Sequence, residues 1–119
     1  MVVKQMLSTD TPVVQKMCEL YKMFHEHLKL FPKNDKYDIG AKCENTLLNA
    51  LEYLIKASNA NIDKKLPYLQ QASTEFDILK IFFRMANEIH ALDDKKYLAL
   101  QGHIQEIGKM IGGWQRSLC

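Results

Sequence analysis

Histidine and acidic side chains are the residues of this chain best suited to metal-dependent or acid–base chemistry. Helical bundles that bind two metal ions pair a glutamate with a histidine three residues later, because that spacing points both ligands into the core. No glutamate here precedes a histidine at that distance, and His103 and Glu106 have the reverse order. His25 and His27 would lie about 200° apart on a helix, which prevents them from chelating one ion. We therefore predict no metal site and no cofactor.

Motifs for nucleotide binding and nucleophilic catalysis are also missing from the sequence. It contains no GxGxxG, GxxxxGK[ST], GxSxG or CxxCH segment. Cys18, Cys43 and Cys119 are widely spaced and odd in number, so they form neither a disulfide framework nor a CxxC pair. We expect Cys18 and Cys43 to be small buried side chains and Cys119 to be a terminal thiol. These features predict a protein that binds other macromolecules and is not an enzyme.

Basic side chains form three groups that suit contact with phosphate. In chain order they are Lys29, Lys33 and Lys36; Lys64 and Lys65; and Lys80 and Arg84. Aspartates lie close to each group, so a solvated, charge-balanced surface is the alternative interpretation. The net charge of +2 permits contact with nucleic acid without requiring it.

The composition predicts one folded domain that spans residues 1–119. A length of 119 residues suits one domain, and 47% hydrophobic content is enough for a core. No apolar run approaches the roughly 18 residues that a membrane span requires. The first ten residues lack the apolar stretch of a signal peptide. We expect a cytoplasmic protein.

Apolar residues recur at steps of three or four positions along four segments, which is the pattern of amphipathic helices. The predicted helices cover about residues 11–31, 36–58, 64–90 and 94–116. Pro12 suits the first turn of helix one and Pro32 ends it, while Asp93 and Asp94 cap the last helix. Short connections between long helices favour an all-α, up-down antiparallel four-helix bundle.

The third predicted helix has a wide apolar face. Phe82 lies about 100° round the helix from Phe83, so both cannot share one narrow seam. We expect Phe82 to face a second surface, such as a subunit interface.

Glycines in the last predicted helix need an explanation, because each costs about 1 kcal/mol relative to alanine. Gly108 and Gly112 are four residues apart and share a face, which lets another backbone approach closely. With Gly113 and Trp114 they form a predicted close-packing segment. In the alternative interpretation, Gly112 and Gly113 loosen the helix and redirect Trp114 and Arg116.

The segment 106–114, EIGKMIGGW, resembles the C-terminal signature of accessory variability determinant (Avd) proteins of diversity-generating retroelements. Phe31-Pro32-Lys33, after the first helix, is similar to the same family. The broader relatives are four-helix proteins encoded by intervening sequences in ribosomal RNA genes, and the likeness extends from about Tyr21 to Leu118. The glycine–tryptophan ending points to the Avd branch.

The resemblance implies a non-enzymatic protein that assembles as a barrel-like homopentamer. It also implies binding to the retroelement's reverse transcriptase and to RNA, with DNA as the alternative. The lack of a long apolar run predicts no contact with a membrane. Together these components would copy a template RNA into error-prone cDNA. The family's best-known members are strongly basic, so this chain's small net charge implies weaker nucleic-acid binding or binding through one surface. The alternative function is a stand-alone oligomeric bundle of the intervening-sequence type, with an unknown partner.

Residue types suggest which side chains contact phosphate or the reverse transcriptase. A lysine supplies a point charge and an arginine a planar fork of donors. The predicted contact residues are Lys33, Lys36, Lys80, Arg84, Lys109 and Arg116.

Overall fold

The computed structural model describes residues 11–118, and all regular secondary structure in that range is helical. In chain order the elements are α1 (Pro12–Leu28), α2 (Lys33–Asp35), a π-helical turn (Lys36–Gly40), α3 (Ala41–Asn59), α4 (Ile62–Glu88) and α5 (Asp94–Ser117). The short α2, the π-helical turn and α3 follow one another without a break and form one rod. Four rods result, which confirms the predicted all-α four-helix bundle. Cys119 and the first ten residues, with the predictions made for them, lie outside the described range.

The rods pack in a closed ring. Contacts join α1 to α3, α3 to α4, α4 to α5, and α5 back to α1, and the α3–α4 contact is the most extensive. Lys16, near the start of α1, lies 3.4 Å from Glu106 in the second half of α5. This contact places the start of α1 beside the second half of α5, as in an up-down bundle where the two run antiparallel.

The core is built from the predicted apolar stripes. Its buried stripe residues are Val13, Met17, Leu20, Phe24 and Phe31; Ile39, Cys43, Leu47, Ala50, Leu54 and Ala57; Leu69, Phe76, Leu79, Phe83 and Ala86; and Leu100, Ile104, Ile107 and Ile111. The ring of Phe24 lies 5.1 Å from the ring of Phe83 and 5.9 Å from that of Phe31, between centroids. Because these rings come from α1, α4 and the first connection, they join three parts of the bundle.

The first connection differs from the prediction at both ends. Helix α1 ends at Leu28 and not at Phe31, because the N–H groups of Leu30 and Phe31 donate to the carbonyls of His27 and Leu28 in tight turns. The second rod begins at Lys33, directly after Pro32, and not at Lys36. The turn directs Phe31 into the core.

Gly40 lies in the π-helical turn, where the second rod passes the end of α1. A Cβ atom at this position would lie 2.5 Å from Leu28 Cδ1, 3.1 Å from the carbonyl oxygen of Asp35 and 3.3 Å from Phe31 Cδ2. An added Cβ must displace the end of the Leu28 side chain and would press against the Asp35 carbonyl. A π-turn accommodates one extra residue per turn, which here keeps Gly40 against α1.

Helix α4 is displaced from its predicted bounds at both ends. It begins at Ile62 and not at residue 64, which places Pro67 inside the helix. It ends at Glu88 and not at residue 90. His90 has a left-handed backbone with φ of 66°, and the N–H groups of Ala91 and Leu92 both donate to the carbonyl of Ala86. Such a turn stops a helix.

Helix α5 begins at the predicted residue, Asp94, and ends at Ser117, one residue beyond the prediction. Asp93 Oδ1 accepts a hydrogen bond of 2.8 Å from the backbone N–H of Lys96, so Asp93 caps the helix as expected. The helix continues through Gly112 and Gly113 without interruption.

Candidate nucleic-acid and partner surfaces

A groove between α4 and α5 brings together two predicted contact residues, Lys80 and Lys109. It has a volume of about 430 Å³ and is also lined by Gln101, Ile104, Gln105 and Gly108. Arg84 is exposed one helical turn after Lys80, and Arg116 is exposed two turns after Lys109. Four of the six predicted contact residues therefore lie along the two rods that form this groove.

The cations of the groove differ in how far their charge is offset. Lys80 Nζ lies 3.3 Å from Asp77 Oδ1 and 5.4 Å from the centroid of the Phe76 ring. Within residues 11–118, the ion pairs do not include Arg84, Lys109 or Arg116. The Lys80–Asp77 pair is exposed, and such pairs contribute little, so Lys80 can exchange this partner for a phosphate.

Lys33 and Lys36 lie on the second rod, which does not form a wall of the groove. Both are close in sequence to Asp35 and Asp38, so their surroundings are balanced in charge. The structure does not bring these two predicted contact residues together with the other four.

The glycine–tryptophan segment is packed mainly against side chains of its own chain. A Cβ atom at Gly108 would lie 3.7 Å from Phe76 Cε2 of α4, which is an ordinary contact. At Gly112 it would lie 3.3 Å, and at Gly113 3.8 Å, from the guanidinium of Arg116. In this subunit, Gly112 and Gly113 make room for the Arg116 side chain.

Trp114 is half-buried at the end of the bundle where α5 finishes. With Met110, it forms the α5 side of an apolar groove of about 510 Å³, whose other lining residues are Thr11, Pro12, Val13 and Lys65. The Nζ atom of Lys65 lies 5.9 Å from the centroid of the Trp114 ring. The same Nζ donates hydrogen bonds of 2.8 Å and 3.2 Å to the carbonyls of Ala57 and Ser58. The ammonium of Lys65 thus binds groups of its own subunit, whereas the sequence pattern predicted a lysine suited to phosphate.

Helix α4 and its C-cap residue, Ile89, carry a row of exposed apolar side chains that the sequence did not single out. Its members and their exposed fractions are Ile78 at 36%, Ile81 at 47%, Met85 at 43% and Ile89 at 53%. Steps of three and four residues place them on one face. Phe82, expected on a second surface, is half-buried against the core. We call the four exposed side chains, which neighbour Phe82 in sequence, the α4 row.

The buried titratable atoms include two histidine nitrogens and one cysteine thiol. His27 Nε2 and His103 Nδ1 are buried without a hydrogen-bond partner. Burial, and secondarily the charge of Lys96, lowers the pKa of His27, while Asp93 opposes the shift. Burial raises the pKa of the Cys43 thiol to about 12, so this thiol stays protonated. Among the residues that the structure describes, no three His, Cys, Asp or Glu side chains are grouped to hold a metal ion.

The helices between residues 11 and 118 include none that is both long enough and apolar enough to span a bilayer.

The fold and these surfaces define a class of protein: a small helical bundle with a basic groove and an exposed apolar row, both suited to binding macromolecules. The chain matches the model of the bAvd-like family over residues 12–118. Because the match covers nearly the whole chain, the chain belongs to that family, whose members are accessory and non-catalytic proteins. A search of curated proteins found no significant match.

Proposed function

We propose that this protein is the accessory factor of a diversity-generating retroelement, in which it binds the reverse transcriptase and the template RNA to support mutagenic cDNA synthesis. The observation that carries this proposal is the bAvd-like match over residues 12–118. The chain acts as a single domain in the cytoplasm and supplies binding surfaces, while the polymerase supplies the chemistry.

The groove between α4 and α5 supports a role in RNA binding. Lys80 and Lys109 line it, and Arg84 and Arg116 extend the basic surface along the two rods. Phosphate contacts supply most of the sequence-independent affinity for nucleic acid. Gln101 and Gln105 add amide donors and acceptors between these cations. Lys33 and Lys36, on the second rod, are available to a different part of the RNA or to the reverse transcriptase.

The α4 row supports assembly of the chain as a homopentamer. An exposed row of four large apolar side chains is costly in water unless another surface covers it. A ring with an odd number of subunits requires head-to-tail contacts, in which two different patches of the subunit meet. The α4 row would then pack against a different face of the next subunit.

A pull-down with the cognate reverse transcriptase, with and without template RNA, tests the proposal. The oligomer is first measured by light scattering, and the pull-down is repeated at two salt concentrations. We expect a pentamer that retains the polymerase and captures RNA less well as salt rises.

The matched variants are Lys80→Gln/Lys109→Gln in the groove and Lys22→Gln/Lys42→Gln on exposed positions of α1 and α3. Both pairs remove two positive charges, and only the groove pair is expected to weaken RNA capture. An oligomer that retains neither RNA nor polymerase would overturn the proposal and favour a stand-alone bundle of the intervening-sequence type.

A further inference from the structure

Three segments meet at the end of the bundle that contains Trp114: residues 11–15, 56–65 and 109–116. Lys65 joins the second segment to the third through Trp114. The hydroxyl oxygens of Thr11 and Ser58 lie 3.4 Å apart and join the first segment to the second. We call these three segments the tryptophan end.

Positive charge is concentrated at the tryptophan end. Its basic residues are Lys56, Lys64, Lys65, Lys109 and Arg116, and its one acidic residue is Asp63. At the opposite end, residues 25–38 and 88–96 contain five lysines and six carboxylates. The net charge of +2 for the whole chain therefore conceals a strong difference between the two ends.

The cations of the tryptophan end are not neutralised by carboxylates. The ion pairs in the described range involve Lys16, Lys29, Lys80 and Lys96, all of which lie outside the three segments. Lys65 is occupied by two carbonyls and the Trp114 ring. Lys56 and Lys64 are exposed.

Lys56 and Lys64 line the same cleft, at the connection between α3 and α4. The cleft has a volume of about 390 Å³, and its other lining residues are Ile55, Asn59, Ala60, Asn61 and Tyr68. The Nζ atom of Lys56 lies 5.3 Å from the centroid of the Tyr53 ring, which holds the ammonium at the edge of α3. Asn61, the N-cap residue before α4, makes no capping hydrogen bond with its side chain, so its amide is free to bind a ligand.

We propose that this cleft binds the phosphodiester backbone of a nucleic acid, with Lys56 and Lys64 as charge partners of the phosphates and the amides of Asn59 and Asn61 as hydrogen-bond donors. The inference rests on the proposed function, in which the protein binds nucleic acid, and adds a contact surface outside the α4–α5 groove. Phosphate is common to RNA and DNA, so the cleft positions a strand without reading its sequence.

The test compares full-length Lys56→Gln/Lys64→Gln with the charge-matched control Lys22→Gln/Lys42→Gln. Affinity for a short single-stranded RNA, and for DNA of the same sequence, is measured by fluorescence anisotropy over a series of salt concentrations. Circular dichroism melting checks that each variant is folded.

We expect the cleft variant to bind both strands about fivefold more weakly or worse, with a salt slope smaller by about 1.4 for two lost single-strand phosphate contacts. The control should change neither quantity. If the unaltered protein binds and the cleft variant keeps its affinity and slope, the inference is wrong and the proposed function stands. A loss for RNA alone would overturn the phosphate assignment. If the unaltered protein binds neither strand, the RNA-binding part of the proposed function fails.

Discussion

The ammonium of Lys65 lies 5.9 Å from the centroid of the Trp114 ring and at the same time donates hydrogen bonds to the carbonyls of Ala57 and Ser58. One side chain at the start of α4 thus joins the end of α3 to the end of α5. Trp114 belongs to the segment that resembles the Avd signature. We expect its contact with Lys65 to help hold the last turns of α5 in the bundle.

Removing the Lys65 ammonium should therefore destabilise the fold. For Lys65→Met we expect a loss of about 1–2 kcal/mol in the free energy of unfolding, because a cation–π contact and two charge-assisted hydrogen bonds are lost. Urea denaturation measures the loss, and the emission of Trp114, the single tryptophan of the chain, should shift to the red. Exposed Lys64→Met is the control. Equal stability of the two variants would show that Lys65 does not clamp the end of α5.

A side chain at Gly40 should destabilise the fold. In Gly40→Ala the new Cβ would lie 2.5 Å from Leu28 Cδ1, and overpacking of this kind costs about 1–3 kcal/mol. Gly102→Ala is the matched control, because its added Cβ would meet no heavy atom within 4 Å apart from its chain neighbours and the backbone of its own helix. In the control, relief of the glycine penalty in a helix should stabilise by about 0.5–1 kcal/mol. Chemical denaturation tests whether the free energy of unfolding falls for Gly40→Ala and rises for Gly102→Ala. A Gly40→Ala protein as stable as the unaltered one would contradict the packing described at the π-helical turn.

The stability of the protein should decrease as the pH falls below the usual pKa of histidine. Burial lowers the pKa of His27 in the folded state below its ordinary value of 6.5. The unfolded chain therefore binds a proton more readily than the folded chain. The contribution of His27 to the free energy of unfolding is complete above pH 6.5 and declines as the pH falls through that value. Lys96 adds to the shift and Asp93 opposes it.

His27→Gln should flatten the dependence of unfolding free energy on pH between about 7 and 5. His25→Gln, at an exposed position two residues earlier on α1, is the matched control. Urea denaturation across this pH range makes the measurement. Parallel curves for His27→Gln and the unaltered protein would refute the assignment to His27.

The α4 row should control assembly. Replacement of Ile81 and Met85 with glutamate puts charge in the middle of the row, where burial in an interface would be costly. We expect light scattering to show a smaller particle for Ile81→Glu/Met85→Glu. The control is Ile62→Glu, since Ile62 is 76% exposed and lies outside the row. An unchanged particle mass in the double variant would place the subunit interface elsewhere.

The sequence predicted those features that depend on local periodicity. Leu47, Leu54 and Leu79 are buried as their spacing indicates, since a step of three or four residues repeats along one helix face. The π-helical turn was missed, because the need for glycine at position 40 arises from Leu28 and Phe31 across the first connection.

The candidate surfaces were predicted less well, because they depend on which rods are neighbours. Residue type predicts Lys80 and Lys109 as contact residues, but only the packing of α4 against α5 places them in one groove. Lys65 was grouped with phosphate-binding lysines, whereas its partners are carbonyls seven and eight residues earlier in the chain. Periodicity shows that the apolar face of α4 is wide, but only the packing of the neighbouring rods determines that the side chains of the α4 row stay uncovered.

The accessory role is tested most directly by reconstituting cDNA synthesis from the cognate reverse transcriptase and template RNA, with and without this protein. The amount of cDNA is measured, and Lys80→Gln/Lys109→Gln is compared with Lys22→Gln/Lys42→Gln. We predict that cDNA synthesis requires the protein. The yield should fall with the groove variant and should equal that of the unaltered protein with the charge-matched control. Equal cDNA yields in the presence and absence of the protein would contradict the account.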